Sequence, residues 1–329
     1  MTKRYDVAAL GNAIVDVIAP ADDAFLLEHN IAKGVMTLID EYRAEQLYRV
    51  LPDAQEVAGG SAANTMAGLA SLGGKGLFVG KVKADRLGRS FAESLNSLGI
   101  TYVTEMAADG PQTACCLIAV TPDGHRSMNT YLGASREISQ ADIDEAEIAA
   151  ADILYVEGYL WDTPEAKGAI NKAIAAAKRA GRKVAFSLSD PFCVARWRDE
   201  FRTLMGDINI LFANEDEAKA LLGTDDFDSV LQAGRTWPGI AALTRSEKGC
   251  VVAQGDEVHE LDAVPVAQVV DTTGAGDQFA AGFLYGLTHN KTLAQAGRLG
   301  ALAAAEVISH YGARPEASLS ALAADAGLL

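Results

Sequence analysis

The 329-residue sequence is short of the residues that mark several common protein classes. It has four cysteines, Cys115, Cys116, Cys193 and Cys250, and no C-x-x-C pair. Four scattered thiols in a chain this long do not make a disulfide scaffold. Apolar neighbours such as Ala114, Leu117 and Val251 mark them as buried structural thiols. The five histidines (29, 125, 259, 289 and 310) are dispersed and H-E-x-x-H is absent, so no zinc pattern exists. Positive charge is scarce: 28 Lys+Arg face 44 Asp+Glu, a net charge of −16. A protein that coats nucleic acid would carry a basic stripe, so nucleic acid is not an expected partner. No apolar run approaches the roughly 18 residues of a membrane span, so no membrane association is expected. The phosphate loops G-x-x-x-x-G-K-[ST] and G-x-G-x-x-G are both missing, as is the G-x-S-x-G elbow. No fixed-period repeat, low-complexity tract or Pro-rich linker is present.

What remains is ample core material, 49 % hydrophobic and 22 % charged residues, which excludes disorder as the main state. The first segment, MTKRYDVAALGNAIVDVIAP, superficially resembles a signal peptide. Its apolar stretch lies between Asp6 and Asp16, is broken by Gly11 and Asn12, and lacks a clean cleavage site. It reads as a first core strand, and the expected location is the cytoplasm.

Short apolar runs (Val7 to Leu10, Leu77 to Val79, Ile153 to Val156, Val184 to Phe186, Ile208 to Phe212, Ile240 to Leu243) alternate with amphipathic ones. The helix-like runs are Ala62 to Leu72, Arg89 to Leu98, Pro164 to Ala180, Glu215 to Leu222 and Phe227 to Ala233. Such alternation predicts βαβ units and a mainly parallel sheet covered on both faces. Residues 14–40 and 112–132 break the pattern and read as strands with little helix between them. In the second, Thr113 to Val120 and His125 to Tyr131 flank the turn Pro122-Asp123-Gly124. These two stretches are expected to form a small, discontinuous β-sheet. Residues 1–13, 41–111 and 133–329 are expected to form one large α/β unit. A later hairpin is expected around Gly255-Asp256, and mostly helix from Gly276 onward.

The most informative stretch is Asp271 to Leu287, DTTGAGDQFAAGFLYGL. It follows a β-like run, Val264 to Val270, and opens an Ala/Gly/Phe-rich helix. Gly274, Ala275 and Gly276 leave backbone N–H groups uncovered at the helix start, where the dipole is positive, which suits a phosphate. Asp277, on the same turn, would repel a phosphate. It makes sense facing an incoming hydroxyl, whose proton it could take while the amides hold the charge of a transferred phosphoryl group. The helix N-terminus is expected to keep Asp277 ionised. The competing reading is an N-capping Asp in a Gly-rich turn.

A second Gly-rich stretch runs from Val57 to Gly88. Gly59 and Gly60 permit a ligand to approach the backbone. Ser61 can cap the following helix, and Asn64 could face the same opening, offering donor and acceptor to a diol. A plain glycine turn with a solvent-facing Asn is the alternative. Asp16 is an acid inside an apolar strand pattern, costly to bury unless paired, as two sugar hydroxyls would do; a strand-end Asp in solvent is the alternative, and Asn12 shares the ambiguity.

Taken together, Gly59-Gly60-Ser61-Ala62-Ala63-Asn64 and Asp271-Thr-Thr-Gly-Ala-Gly-Asp277 resemble the two signatures of the ribokinase-like (PfkB) family of carbohydrate and nucleoside kinases. The resemblance covers essentially the whole chain. It implies a ribokinase-like three-layer α/β/α fold with a mainly parallel central sheet and a small β-sheet lid. It implies an ATP-dependent phosphotransferase with an alcohol acceptor, with Asp277 as base and Gly274, Ala275 and Gly276 as anion hole. Asn214 and Glu217 resemble the N-x-x-E element that organises Mg2+ through water. Thr244 resembles a Thr that contacts the nucleotide phosphates. The usual T-x-G is here Thr244-Arg245-Ser246, with the glycine delayed to Gly249. Thr273 and Arg126 fall with the ATP contacts by the same resemblance. Monovalent-cation activation, K+ for instance, is common in the family, with carbonyls near Asp271, Thr273 and 308–313 as the place for it.

For the acceptor, Ser61 after the double glycine, where ribokinases tend to carry Lys, is similar to the adenosine-kinase branch. So is GNAIVDV, with Asn12 and Asp16 near a ribose. An aromatic at Tyr159, where ribokinases place a sugar-binding Glu, suits a stacked base, with Met128 and Thr130 lining its pocket. Ordinary core packing is the alternative for Tyr159 and Met128. The implied acceptor is a nucleoside, adenosine above others; a sugar (ribose, fructose or 2-keto-3-deoxygluconate) is the runner-up, and a non-catalytic sensor the third reading. Monomer and homodimer both stay open.

Overall fold

In the computed structural model, which describes residues 3–329, the short apolar runs become buried strands and the Asp- and Thr-led segments become helices. In chain order the elements begin β1 (Tyr5–Leu10), β2 (Ile14–Pro20), α1 (Asp23–Glu28), β3 (Met36–Leu38), α2 (Glu41–Val50), β4 (Gln55–Gly59) and α3 (Ser61–Ser71). Then come β5 (Gly76–Val79), α4 (Arg86–Ser97), β6 (Thr101–Tyr102), β7 (Ala114–Val120), β8 (Arg126–Tyr131), α5 (Glu145–Ala149), β9 (Ala151–Glu157), α6 (Pro164–Arg179) and β10 (Lys183–Ser187). The rest is α7 (Pro191–Leu204), β11 (Ile210–Asn214), α8 (Glu215–Leu222), α9 (Phe227–Thr236), β12 (Ile240–Thr244), β13 (Cys250–Gln254), β14 (Glu257–Leu261), α10 (Ala275–Thr288), α11 (Leu293–Val307) and α12 (Leu319–Asp325).

Nine strands make the main sheet in the order β14-β13-β12-β11-β10-β9-β1-β5-β6. It is parallel except for β13 and β14, the expected late hairpin, which closes one edge antiparallel. Two apolar clusters lie on its two faces: one holds Val7, Ala9, Tyr155 and Phe212 with α3 and α10, the other Ala8, Leu10, Leu154 and Phe186 with α6 and α7. Alternate strand residues go to opposite clusters, as the period of two requires, so the molecule has the three-layer α/β/α arrangement that the resemblance implies. The second, five-stranded sheet has the order β3-β8-β7-β2-β4.

Two expectations change. Gln55–Gly59, grouped by sequence with the large unit, pairs antiparallel with β2 in the small sheet. Its sequence cue was weak, because the strand is short, opens on Gln55 and Glu56, and has only Val57 as a large apolar residue. Val264 to Val270 forms no strand; the sheet edge already ends at β14, and Pro265 removes a ladder donor. Helices α1, α2 and α7 escaped the sequence reading although each starts on a side-chain-capping Asp (Asp22, Asp40, Asp190). The four cysteines are buried free thiols. Among the described residues no helix is long and apolar enough to cross a membrane.

Candidate active site

The loop before α10 is organised by Asp271. Its carboxylate accepts from Thr273 N (3.0 Å), Thr273 Oγ1 (2.7 Å), Gly312 N (3.1 Å) and Arg126 Nη1 (2.5 Å). Burial opposes its charge, but these donors hold its pKa below the ordinary value. Arg126 comes from β8, so this ion pair ties the small sheet to the start of α10. Thr273 and Arg126 thus converge on Asp271. Gly274 then turns the chain with φ +80°, and a Cβ there would lie 2.7 Å from Ala313, so only glycine fits.

Among the described residues, no acceptor meets the N–H groups of Gly274, Gly276 and Asp277, while Ala275 N donates to Thr272 O at 3.2 Å. A Cβ added at Gly276 would meet nothing within 4 Å, so the first turn of α10 borders open space at this residue. The result is a helix N-terminus with free donors, as the sequence suggested. Ala275, however, is turned inward by its own bond, and the amide of Asp277 takes its place.

Asp277 is half-buried in this cleft. Ser61 Oγ donates to its Oδ1 at 2.6 Å, and Asn64 Nδ2 to its Oδ2 at 3.5 Å. Both donors come from the first turn of α3, which Gly60 introduces with φ +93°; a Cβ on Gly60 would lie 2.3 Å from Asn12 O. The expectation that Ser61 caps α3 is overturned: no side chain caps this helix, and the Ser61 hydroxyl is used on Asp277. Burial pushes the Asp277 carboxyl up to about 7; Ser61 and Asn64 pull it back, and the charges of Glu157 and Asp16 push it further up. This corrects the expectation that the helix start keeps it fully ionised, because desolvation outweighs the dipole.

Asp16 lies on β2 with its carboxylate over Gly59, where a Cβ would come within 2.4 Å. Among the described residues no donor meets its oxygens. Burial raises its pKa to about 6 against the pull of Arg126 and Arg314. Asn12, expected beside it, is committed elsewhere: its N and Nδ2 donate to Glu157 Oε1 at 2.7 and 2.8 Å. Ala62 N donates to Glu157 Oε2 at 2.7 Å. Glu157 is buried at the end of β9 and was missed by the sequence reading; its signal was an acid closing the apolar run Ile153 to Val156.

Asp16, Cys116 and Thr130 are in register across β2, β7 and β8, and the next row on that face is Ile18, Ile118, Met128 and Met36. Arg126 lies on the same face and reaches Asp271, so the face looks into the cleft. Cys116 and Ile118 are buried yet belong to neither apolar cluster, which agrees with that orientation. Met128 is half-buried, and Thr130 Oγ1 donates to Cys116 Sγ at 3.2 Å, so its hydroxyl is used within the sheet. Tyr159 sits in the short turn after β9 and is 38 % exposed; burial of the phenol raises its pKa, as do the nearby charges of Asp190 and Asp277.

On the other side, Asn214 ends β11 and caps α8. Asn214 N and Nδ2 donate to Glu217 Oε2 and Oε1 at 2.9 and 2.7 Å, and Glu217 N donates back to Asn214 Oδ1 at 2.8 Å. Burial raises the Glu217 carboxyl to about 7. Thr244 is the register partner of Asn214 on β12. Gly249 has φ +78° and a Cβ there would lie 2.0 Å from Leu261 O, so it packs the turn onto the β14 edge and offers no open backbone. No group of three or more His, Cys, Asp or Glu side chains suited to a metal exists among the described residues. With both Glu217 oxygens engaged, these residues fit Mg2+ only through water.

The pfkB family carbohydrate kinase pattern matches residues 35–319. The chain belongs to the pfkB carbohydrate kinase family. The pfkB kinases are phosphotransferases with alcohol acceptors and generally use ATP with Mg2+. The chain is 48 % identical to the adenosine kinase of Sinorhizobium meliloti, whose crystal structure matches with a TM-score of 0.90 over 98 % of this chain and 99 % of that one. It is equally, 48 %, identical to a probable sugar kinase protein of Rhizobium etli, with a TM-score of 0.92 and full coverage of both chains. The adenosine kinase of Saccharomyces cerevisiae is 26 % identical over 93 % of this chain and 95 % of its own. The pfkB membership makes this protein a nucleoside or sugar kinase.

Proposed function

We propose that this pfkB kinase transfers the γ-phosphoryl group of ATP to the primary hydroxyl of a nucleoside, adenosine above others, giving AMP. The observation that carries the reading is the cleft face of the small sheet. It sets one carboxylate without a protein donor, Asp16, beside apolar side chains: Ile18, Ile118, Met128 and Met36. A ribose diol can donate to Asp16, and a purine can lie against the apolar row, with Tyr159 at the opening. Glu157 argues in the same direction. It closes β9 close to Asp277, but both its oxygens already accept from the protein, so it has little to offer a sugar hydroxyl. The likeness to the Sinorhizobium adenosine kinase supports the reading.

In this reading Asp277 accepts the proton of the attacking hydroxyl, a task for which a pKa close to ambient pH is suited. Ser61 and Asn64 hold its carboxylate in place. The amides of Gly274, Gly276 and Asp277 hold the charge of the transferred group, and Arg126, fixed by Asp271, approaches the same phosphates. Asn214, Glu217 and Thr244 belong to the nucleotide side. Asn214 and Glu217 would hold Mg2+ through water, and the ion would supply charge neutralisation at the phosphates. The small sheet serves as a lid that excludes water as a competing acceptor. A K+ requirement belongs to the same reading and is tested by replacing K+ with choline.

The test is ADP release with Mg-ATP over a panel of nucleosides and sugars. Turnover with adenosine well above every free pentose and hexose is expected. Turnover confined to a sugar would establish the second reading, which the Rhizobium relative favours. Nucleoside-induced thermal stabilisation without ADP release would establish a sensor.

A further inference from the structure

Arg314 lies in the loop between α11 and α12, beyond both glycine-rich stretches, and no motif marks it. Its Nε donates to Asn64 Oδ1 at 3.3 Å and its Nη1 to Ser94 Oγ of α4 at 3.3 Å. Its Nη2 is buried with no partner. Asn64 Nδ2 faces Asp277 Oδ2 at 3.5 Å. A guanidinium carries donors only, and an ionised carboxylate accepts only. An Asn placed between the two therefore has one allowed orientation, oxygen toward Arg314 and nitrogen toward Asp277. The anchor of this arrangement is Gln278, whose Nε2 donates to both Asn64 O and Ala313 O at 2.9 Å, holding the Arg314 loop against α3.

We propose that Arg314 is a positioning residue that fixes the orientation of the Asn64 amide, so that Asn64 always presents a donor to the carboxylate of Asp277. The inference rests on Asp277 as the base. Without Arg314 the amide is free to turn, and in half its orientations it would present oxygen to the carboxylate and favour the protonated, inactive form. The groups facing Asp277 are Ser61 and Asn64 from α3, Tyr155 and Glu157 from β9, Tyr159 from the turn after β9, and Asp16 from β2; Asp16 is also the acid whose charge acts on Arg314. Ser61 stays on Oδ1 in either case, so the loss is partial.

The test compares pH profiles of kcat for Arg314→Leu, Arg314→Lys, Asn64→Ala and the double variant Arg314→Leu/Asn64→Ala. In Arg314→Leu the acid limb should rise by about one pH unit. Arg314→Lys, which keeps a cationic donor, should recover most of the shift. The double variant should have the profile of Asn64→Ala alone, because the effect passes through Asn64. An unshifted limb in a folded Arg314→Leu, or shifts that add in the double variant, overturns the proposal. If Arg314→Leu does not fold, Arg314→Met, which keeps the apolar stem and has no N–H to donate, decides it: a limb at the wild-type position in Met overturns it. Asp277→Asn separates the two layers. Near-normal turnover there means the base assignment has failed, whereas lost turnover with an unmoved Arg314→Leu limb means only this proposal has.

Discussion

Replacing Asp277 with Asn should abolish turnover and, above pH 7, make the protein more stable. The carboxyl is pushed up to about 7 by burial, against an ordinary 3.8. A tenfold change in proton affinity corresponds to about 1.4 kcal/mol, so keeping this group ionised in the folded state costs at most about 4 kcal/mol at pH 8. The sign follows from proton counting. Between pH 4 and 7 the folded chain holds this proton and the unfolded chain does not, so the contribution is full below pH 4 and lost as pH rises through 7. Asn removes the dependence and keeps an oxygen for Ser61 Oγ. Its new N–H would oppose Asn64 Nδ2, now 3.5 Å from the carboxylate, at a cost of about 1 kcal/mol. Glu157 and Asp16 share the raised proton affinity, and water reaches the cleft, which reduces the gain further. The expected gain is about 1–3 kcal/mol at pH 8 and close to zero or negative at pH 5. Urea unfolding at the two pH values, with ADP release on the same samples, measures both halves. Equal stability differences at pH 5 and pH 8 would show that the carboxylate is not desolvated as described. Near-normal turnover would remove it from the chemistry.

Three further outcomes are expected. In wild-type enzyme kcat/KM should fall about tenfold per pH unit below a midpoint near 7, because the base must be deprotonated; a flat profile down to pH 5.5 contradicts it. Asp16→Asn should raise KM for a ribonucleoside by about 10–100-fold with kcat changed only a few-fold, as for lost charge-assisted bonds to a bound diol, and a 2′,3′-dideoxynucleoside should not discriminate the two enzymes. Glu157→Gln should lower stability by about 2 kcal/mol in urea at pH 7. The carboxylate accepts from Asn12 N, Asn12 Nδ2 and Ala62 N, and an amide would turn a donor toward one of them.

The βαβ alternation and both glycine-rich turns were legible because local chemistry encodes them: buried apolar runs, capping residues, and glycines where φ is positive. The contact of Ser61 and Asn64 with Asp277, more than 200 residues apart, was legible only as two helix starts facing one opening. Glu157 and Arg314 were not legible. A buried acid after an apolar strand looks like an ordinary strand end, and what makes Glu157 special is three donors, two from Asn12 in the turn between β1 and β2 and one from Ala62 at the start of α3. Arg314 lies in a loop without regular structure, and only tertiary packing brings it to Asn64. Strand β4 was lost for a different reason. Its residues Gln55 and Glu56 carry no alternation, so pairing with β2 and not propensity makes it a strand.

The chain's net charge of −16 and its affinity for a nucleotide are reconciled by where charge sits. The cleft gathers Asp16, Glu157 and Asp277, and among the described residues Arg126 and Arg314 bring the positive charge that acts on Asp16. Such a cluster would resist a polyphosphate if all three acids were ionised. Two features prevent that. The raised pKa values of Asp16 and Asp277 leave the empty cleft partly protonated near neutral pH, which lowers the repulsion before the ligand arrives. In the proposed function the phosphates meet the backbone amides of Gly274, Gly276 and Asp277, which carry partial positive charge and no counter-ion to displace. Arg126 is already held by Asp271, so it can lend field to a phosphate without a rearrangement. A site built this way gains little from surface lysines, and nucleotide KM should therefore vary only weakly with ionic strength between about 0.05 and 0.3 M; a steep salt dependence would mean that exposed cations, not this helix start, carry the binding.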